Sequence, residues 1–142
     1  MQENQIPRGK TAVGVFCIGG LLYNLIEICW RGYTHWSMFL LGGVCFQAIG
    51  SIHERFAHRR PLFRCTLSAA AVTTLEFLSG CVVNLRWHLH VWDYSRMPFN
   101  IKGQVCLLYS VLWGVLSLVA CPVYRMVQMR LNRDRQVRLI PQ

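Results

Sequence analysis

Four stretches of this chain are apolar over the length of a membrane-crossing helix, and that constrains its fold more than any other feature. They run roughly from Thr11 to Trp30, Trp36 to Ile52, Leu62 to Leu85 and Gly103 to Tyr124. Each approaches or reaches the roughly 17 to 25 residues with which a helix crosses about 30 Å of hydrocarbon. Backbone amides find no water at that depth, so each stretch must be helical. Composition agrees: 54% of the 142 residues are hydrophobic and 15% are charged, a balance that suits lipid rather than water. The expected fold is an all-α membrane protein, four transmembrane helices in one small bundle. The first run is read as a retained span, because Tyr23, Asn24, Glu27 and Trp30 stand where small residues would mark a signal-peptide cleavage site.

Basic residues orient the bundle. Arg8 and Lys10 precede the first span, Arg55, Arg59, Arg60 and Arg64 fill the second connection, and Arg125, Arg130, Arg133, Arg135 and Arg138 follow the fourth. Lys and Arg accumulate on the cytoplasmic side. Both termini and the His53 to Arg64 loop are therefore expected inside, and the Arg31 to His35 turn and an outer loop over residues 86–102 outside. Residues 1–10 then form a cytoplasmic N-terminal segment, residues 11–124 the transmembrane domain, and residues 125–142 a basic tail. Orientation and contact with anionic lipid account for the net charge of +9, and no soluble basic module is present to bind nucleic acid. Seven cysteines are scattered along the chain without a C-x-x-C pair or metal-ligand spacing, which makes them packing residues. Gly19 and Gly20, Gly42 and Gly43, Ala69 to Ala71, and Ser110 with Gly114 are small enough to let helices approach closely.

Within the spans, two carboxylates stand out. Glu27 lies one turn beyond Asn24 and one turn before Arg31 on the first helix, which suits an i, i+4 ion pair near the interface. Glu76 falls about 21 Å along the third span at 1.5 Å per residue, with Thr73 one turn below it. Both acids therefore reach the outer half of the bundle, and neighbouring spans would join them in one polar pocket. Intramembrane ionisable groups mark binding sites or proton paths by default. Glu27 has a local partner; Glu76 has no Lys or Arg within two turns. Gln47 is read as interhelical glue.

Above this pocket the outer loop carries Arg86, Trp87, His88, His90, Trp92, Asp93, Tyr94, Ser95, Arg96, Pro98, Phe99 and Asn100. Its rings suit headgroup depth, and Asp93, Ser95 and Pro98 suit a turn or cap that closes over the pocket. His88, His90 and Asp93 match no specific metal signature, so neither metal nor cofactor is expected. The candidate binding residues are Glu76, Glu27, Asn24, Thr73, Arg31, Trp92, Asp93, Tyr94 and Ser95, with Trp92, Asp93 and Tyr94 gating access.

The block R-G-Y-T-H-W-S-M from Arg31, the G-G-V-C-F from Gly42, the T-L-E-F around Glu76 and the long V-W-D-Y-S-R-M-P-F-N-I-K-G-Q-V-C-L from Val91 to Leu107 resemble the bacterial membrane family of type IV ABC transporters. The resemblance runs from the first span to the fourth. It implies a permease-like subunit of the bacterial inner membrane. The chain itself has no Walker A pattern G-x-x-x-x-G-K-[ST], so ATP hydrolysis would belong to a separate subunit, with the His53 to Arg64 loop as its candidate docking element. Four short spans do not readily enclose a conduction path, which points to a homo-oligomer or partner membrane subunits. The function expected is transport of a cation, a proton or a small cationic substrate. The alternative is a non-transporting scaffold or accessory protein whose outer loop binds a partner. A third reading, a membrane-embedded enzyme, has against it the absence of H-E-x-x-H and G-x-S-x-G and for it only two acids at one depth that could act as an aspartyl-type pair.

Overall fold

The structure, a computed structural model, describes residues 8–138. Residues 1–7 and 139–142, at the ends of the expected N-terminal segment and basic tail, lie outside the described residues, as do the side chains of Arg8, Lys10 and residues 134–138. Four helices form the bundle: α1 (Arg8–Arg31), α2 (Trp36–Arg55), α3 (Pro61–Gly80) and α4 (Leu107–Arg138). Each is long and apolar enough to cross a membrane. Their limits follow local chemistry. α1 stops at Gly32, whose φ of 79° lets its N–H return to the Ile28 carbonyl at 2.8 Å. At the start of α2, His35 accepts the Ser37 N–H through its ring. α3 starts with Pro61, where a missing N–H costs nothing, and runs on through a π-helical turn, Cys81–Arg86. α4 carries Pro122 in its interior and continues past the apolar run to Arg138.

Close approach of α1 and α2 rests on reciprocal small-to-large packing. Gly19 and Gly20 of α1 face Phe46 and Phe39 of α2, while Gly42 and Gly43 of α2 face Tyr23 and Phe16 of α1. A Cβ on Gly43 would stand 2.7 Å from the Phe16 ring, so these two backbones meet only because the side chain is missing. α3 and α4 meet through smaller residues, Ala69 and Cys65 against Gly114, and the Thr73 hydroxyl donates to Ser110 at 2.8 Å. Buried residues of α2 and α3, among them Met38, Leu41, Cys45, Ile49 and Val72, form one core with Val91 and Trp92 of the α3–α4 connection. Val15, Phe46 and Tyr124 form a second cluster. Leu21, Leu25, Val111, Val115 and Leu118 face outward and exposed, an apolar exterior fit for lipid.

α1 and α4 join at the end where α1 begins and α4 finishes, where Thr11 donates to Asn132 at 3.0 Å and Gly14 meets Leu131. At the opposite end the α3–α4 connection folds over the bundle. It contains a short hairpin of two-residue strands, β1 (Asn100–Ile101) and β2 (Val105–Cys106), antiparallel with Asn100 opposite Cys106. Buried Asn84 holds this connection by giving its amide to the Trp92 carbonyl at 3.0 Å and to Gln104 Oε1 at 2.8 Å, and by accepting the Val91 N–H at 2.7 Å.

Candidate functional site

Under the α3–α4 connection, α1, α3 and α4 bring the two intramembrane acids into one region, near enough to influence each other electrostatically. Glu27 and Glu76 are both buried, 8% and 3% exposed. Their surroundings differ in kind. Glu27 Oε1 accepts from Arg31 Nη2 across one turn of α1, and Arg31 Nη1 reaches on to the Val91 carbonyl at 2.9 Å. Thr34 gives its single proton to Glu27 Oε2 at 2.7 Å, and its oxygen lies 3.1 Å from the Asn24 amide. Glu27, Arg31, Thr34 and Asn24 thus form a closed network that pins the start of the α1–α2 turn to the α3–α4 connection at Val91. Charge there is balanced within the network.

Glu76 has no such balance. Tyr23 of α1 donates its hydroxyl to Glu76 Oε1 at 3.3 Å, and Trp113 of α4 places its buried indole N–H within electrostatic reach of the same carboxyl, outside the geometry of an ordinary hydrogen bond. The two rings stack on each other, with centroids 5.4 Å apart and planes 21° apart. No Lys or Arg side chain pairs with Glu76 among the described residues. A carboxylate in this position is stabilised by neutral dipoles alone, which is the environment that makes a group responsive to an incoming cation or proton.

A cavity of about 350 Å³ opens between α1 and α4 at this level. Tyr23, Trp30, Tyr94, Tyr109 and Trp113 supply its rings, and Glu27 and Arg31 border it. Glu76 does not line it; Tyr23, whose hydroxyl bonds the carboxyl, and Trp113, stacked on Tyr23, do. A smaller apolar space of about 190 Å³ continues along the same seam past Ile26, Leu116 and Val119. A separate polar cavity of about 490 Å³ lies at the end where α1 begins, lined among others by Thr11, Gln47, Ser51, Tyr124, Gln128 and Asn132. There Gln47 bonds the Ala12 carbonyl at 2.6 Å, across the α1–α2 seam.

The remaining candidates divide sharply. Tyr94 lines the cavity, stacks on Tyr109 at 4.8 Å, and gives its N–H to the Gly103 carbonyl at 2.7 Å. Burial and the nearby Glu76 push its phenol above the ordinary range, so it remains a neutral hydroxyl. Trp92 points into the core instead, 6% exposed, with its indole N–H on the Gln104 carbonyl at 2.9 Å. Asp93 and Ser95 face solvent and bond each other: Asp93 accepts the Ser95 N–H at 2.8 Å and its hydroxyl at 3.0 Å, which holds the carboxyl below the usual carboxylate range. They build the turn that positions Tyr94. Thr73 is engaged with Ser110 rather than with Glu76. Sequence reasoning did not single out Tyr23, Tyr109 or Trp113 as site residues; the available signal was Tyr23 one turn before Glu27 on the same helix face.

No solved structure matches the fold. A sequence family described as "Putative ABC-transporter type IV" matches residues 14–140. That span takes in all four helices, the Glu27 network, the Glu76 site and the connection above them, so the chain belongs to this family of ABC-transporter-related membrane proteins.

Proposed function

We propose that this chain is a permease-like subunit of a transporter, in which Glu76 exchanges a proton or binds a cation that arrives through the α1–α4 cavity. One observation carries this reading: a buried carboxyl bonded only by neutral groups, behind two rings that also line a cavity. Tyr23 and Trp113 act as a movable screen, since rotation of either ring connects the carboxyl to the cavity. The Glu27–Arg31 pair acts as the fixed wall of the site. In this reading the membrane is the bacterial inner membrane, with both termini on the cytoplasmic side that the Lys and Arg distribution favours. With no nucleotide-binding motif in the chain, any ATP hydrolysis belongs to a separate subunit. The open α1–α4 seam leaves room for partner membrane subunits or for a second copy.

A second reading draws on the same contacts. Glu76 links α3 to Tyr23 of α1 and to Trp113 of α4, as a purely structural polar group in a scaffold protein would. Membrane vesicles holding wild type, Glu76→Asp and Glu76→Gln at matched protein level separate the two. The transport reading expects Glu76→Gln to lower cation flux at least about ten-fold, a loss of about 1.4 kcal/mol in transition-state terms, while Glu76→Asp retains part of it. Unchanged flux per molecule in Glu76→Gln overturns it, and a lowered protein level alongside that result favours the scaffold.

A further inference from the structure

The α1–α4 cavity has a chemistry of its own, and it selects among cations. Its walls are the faces and edges of Tyr23, Trp30, Tyr94, Tyr109 and Trp113, with aliphatic side chains between them. Trp30, Val115 and Val119 of this lining are 74%, 59% and 60% exposed on the bundle's outer surface, so the space opens sideways, toward lipid. Small inorganic cations are poorly served here. Na⁺ or Mg²⁺ must be re-coordinated by several oxygens when it sheds water, and the two carboxyl oxygens of Glu27 are already taken by Arg31 and Thr34. Arg31 borders the cavity, yet its charge is answered by Glu27 and its second nitrogen by the Val91 carbonyl. The acid left without a basic partner among the described residues is Glu76, bonded to Tyr23 of the cavity wall.

We propose, resting on the reading of Glu76 above, that the cavity's occupant is a lipophilic organic cation of the quaternary-ammonium class, admitted laterally from the bilayer. Such a cation has no N–H that needs a partner, loses little hydration, and gains attraction from aromatic faces of the kind that cage methylated ammonium groups. A volume of about 350 Å³ suits a small arylalkyl ammonium rather than a phospholipid. Held against Tyr109 and Trp113, its positive charge sits close enough to Glu76 for the two to interact without contact, and displacement of the Tyr23–Trp113 stack brings them together.

The test uses an isosteric pair, benzyltrimethylammonium and the uncharged neopentylbenzene, titrated into nanodiscs that hold the full chain, with tryptophan fluorescence as readout. Wild type should bind the ammonium at least about ten-fold more tightly than its neutral twin, and Glu76→Gln should erase most of that preference. Tyr109→Leu should weaken the ammonium about three- to thirty-fold, the range of a desolvated cation–π contact, whereas Tyr109→Phe, which keeps the ring, should bind like wild type. Equal binding of the two ligands, no binding of the ammonium, or ammonium binding indifferent to Tyr109→Leu in a folded sample overturns the inference. If Glu76→Gln still abolishes ion flux in those cases, only the substrate class has failed and the role of Glu76 stands.

Discussion

Replacing Tyr23 by Phe removes one atom, the hydroxyl 3.3 Å from Glu76 Oε1, and keeps the ring that stacks on Trp113. A hydroxyl–carboxyl bond of normal length is about 2.7–2.8 Å, so this one is stretched and its worth depends on the state of the acid. Against a neutral carboxyl it should contribute about 0.5 kcal/mol, the low end for a net hydrogen bond and close to the mean for polar pairs between membrane helices. Against a carboxylate it should approach about 1.5 kcal/mol or more, because charge-assisted bonds are roughly twice as strong. A double-mutant cycle isolates the term: wild type, Tyr23→Phe, Glu76→Gln and the double variant, unfolded reversibly in mixed micelles. The coupling energy should be positive and should grow as pH rises and Glu76 ionises. Tyr23→Ala adds the lost stack, about 0.5–1.5 kcal/mol, and opens the carboxyl to the cavity. A coupling energy of zero at every pH would refute the claim that Tyr23 holds Glu76.

Three further outcomes follow from neighbouring parts of the structure. Arg31→Gln strips the partner from a carboxylate that is 8% exposed and should lower unfolding stability by about 1–3 kcal/mol, below the range for fully buried pairs; Arg31→Lys should recover part of this. Gly42→Ala drives a methyl into Tyr23 and should cost about 1–3 kcal/mol by overpacking, read by thermal unfolding in detergent, with a weakened Tyr23–Glu76 coupling as its signature. The Asp93 carboxyl has a depressed value in the folded loop. Its contribution to the turn is therefore complete above the unfolded value of about 3.9 and is lost as pH falls through the folded one. Protection of the Ser95 amide, taken relative to its intrinsic exchange rate at each pH, should fall at low pH in wild type and stay level in Asp93→Asn, which keeps an acceptor.

How much of this was legible before folding depends on the range of the interaction. Four helices are written into the apolar runs, because lipid leaves no other way to satisfy the backbone. The Glu27–Arg31 pair is equally readable, since partners four residues apart on a helix are fixed by its pitch, and the Gly19–Gly20 and Gly42–Gly43 pairs announce close contact. The screen over Glu76 was hidden. Tyr23 and Trp113 are 90 positions apart in a sequence full of aromatic residues, and nothing local distinguishes a ring over a carboxyl from a ring in an interfacial belt. Trp92 shows the converse. Its place beside Asp93 suggests a gate, but the Asn84 amide turns the loop inward and spends the indole on the core. Thr73 was aligned with Glu76 by helical spacing alone, and its hydroxyl found Ser110 across the α3–α4 seam instead.

The central claim is that Glu76 is reached from the α1–α4 cavity and answers to a cation there. Its most direct test is modification of that carboxyl by a membrane-permeant carbodiimide, resolved to the Glu76 peptide by mass spectrometry, with and without benzyltrimethylammonium. Glu76 should be modified, Tyr23→Ala should hasten the modification, and the cation should slow it. A Glu76 that stays unmodified in wild type and in Tyr23→Ala alike, or one modified at the same rate with the cation present, would contradict the claim.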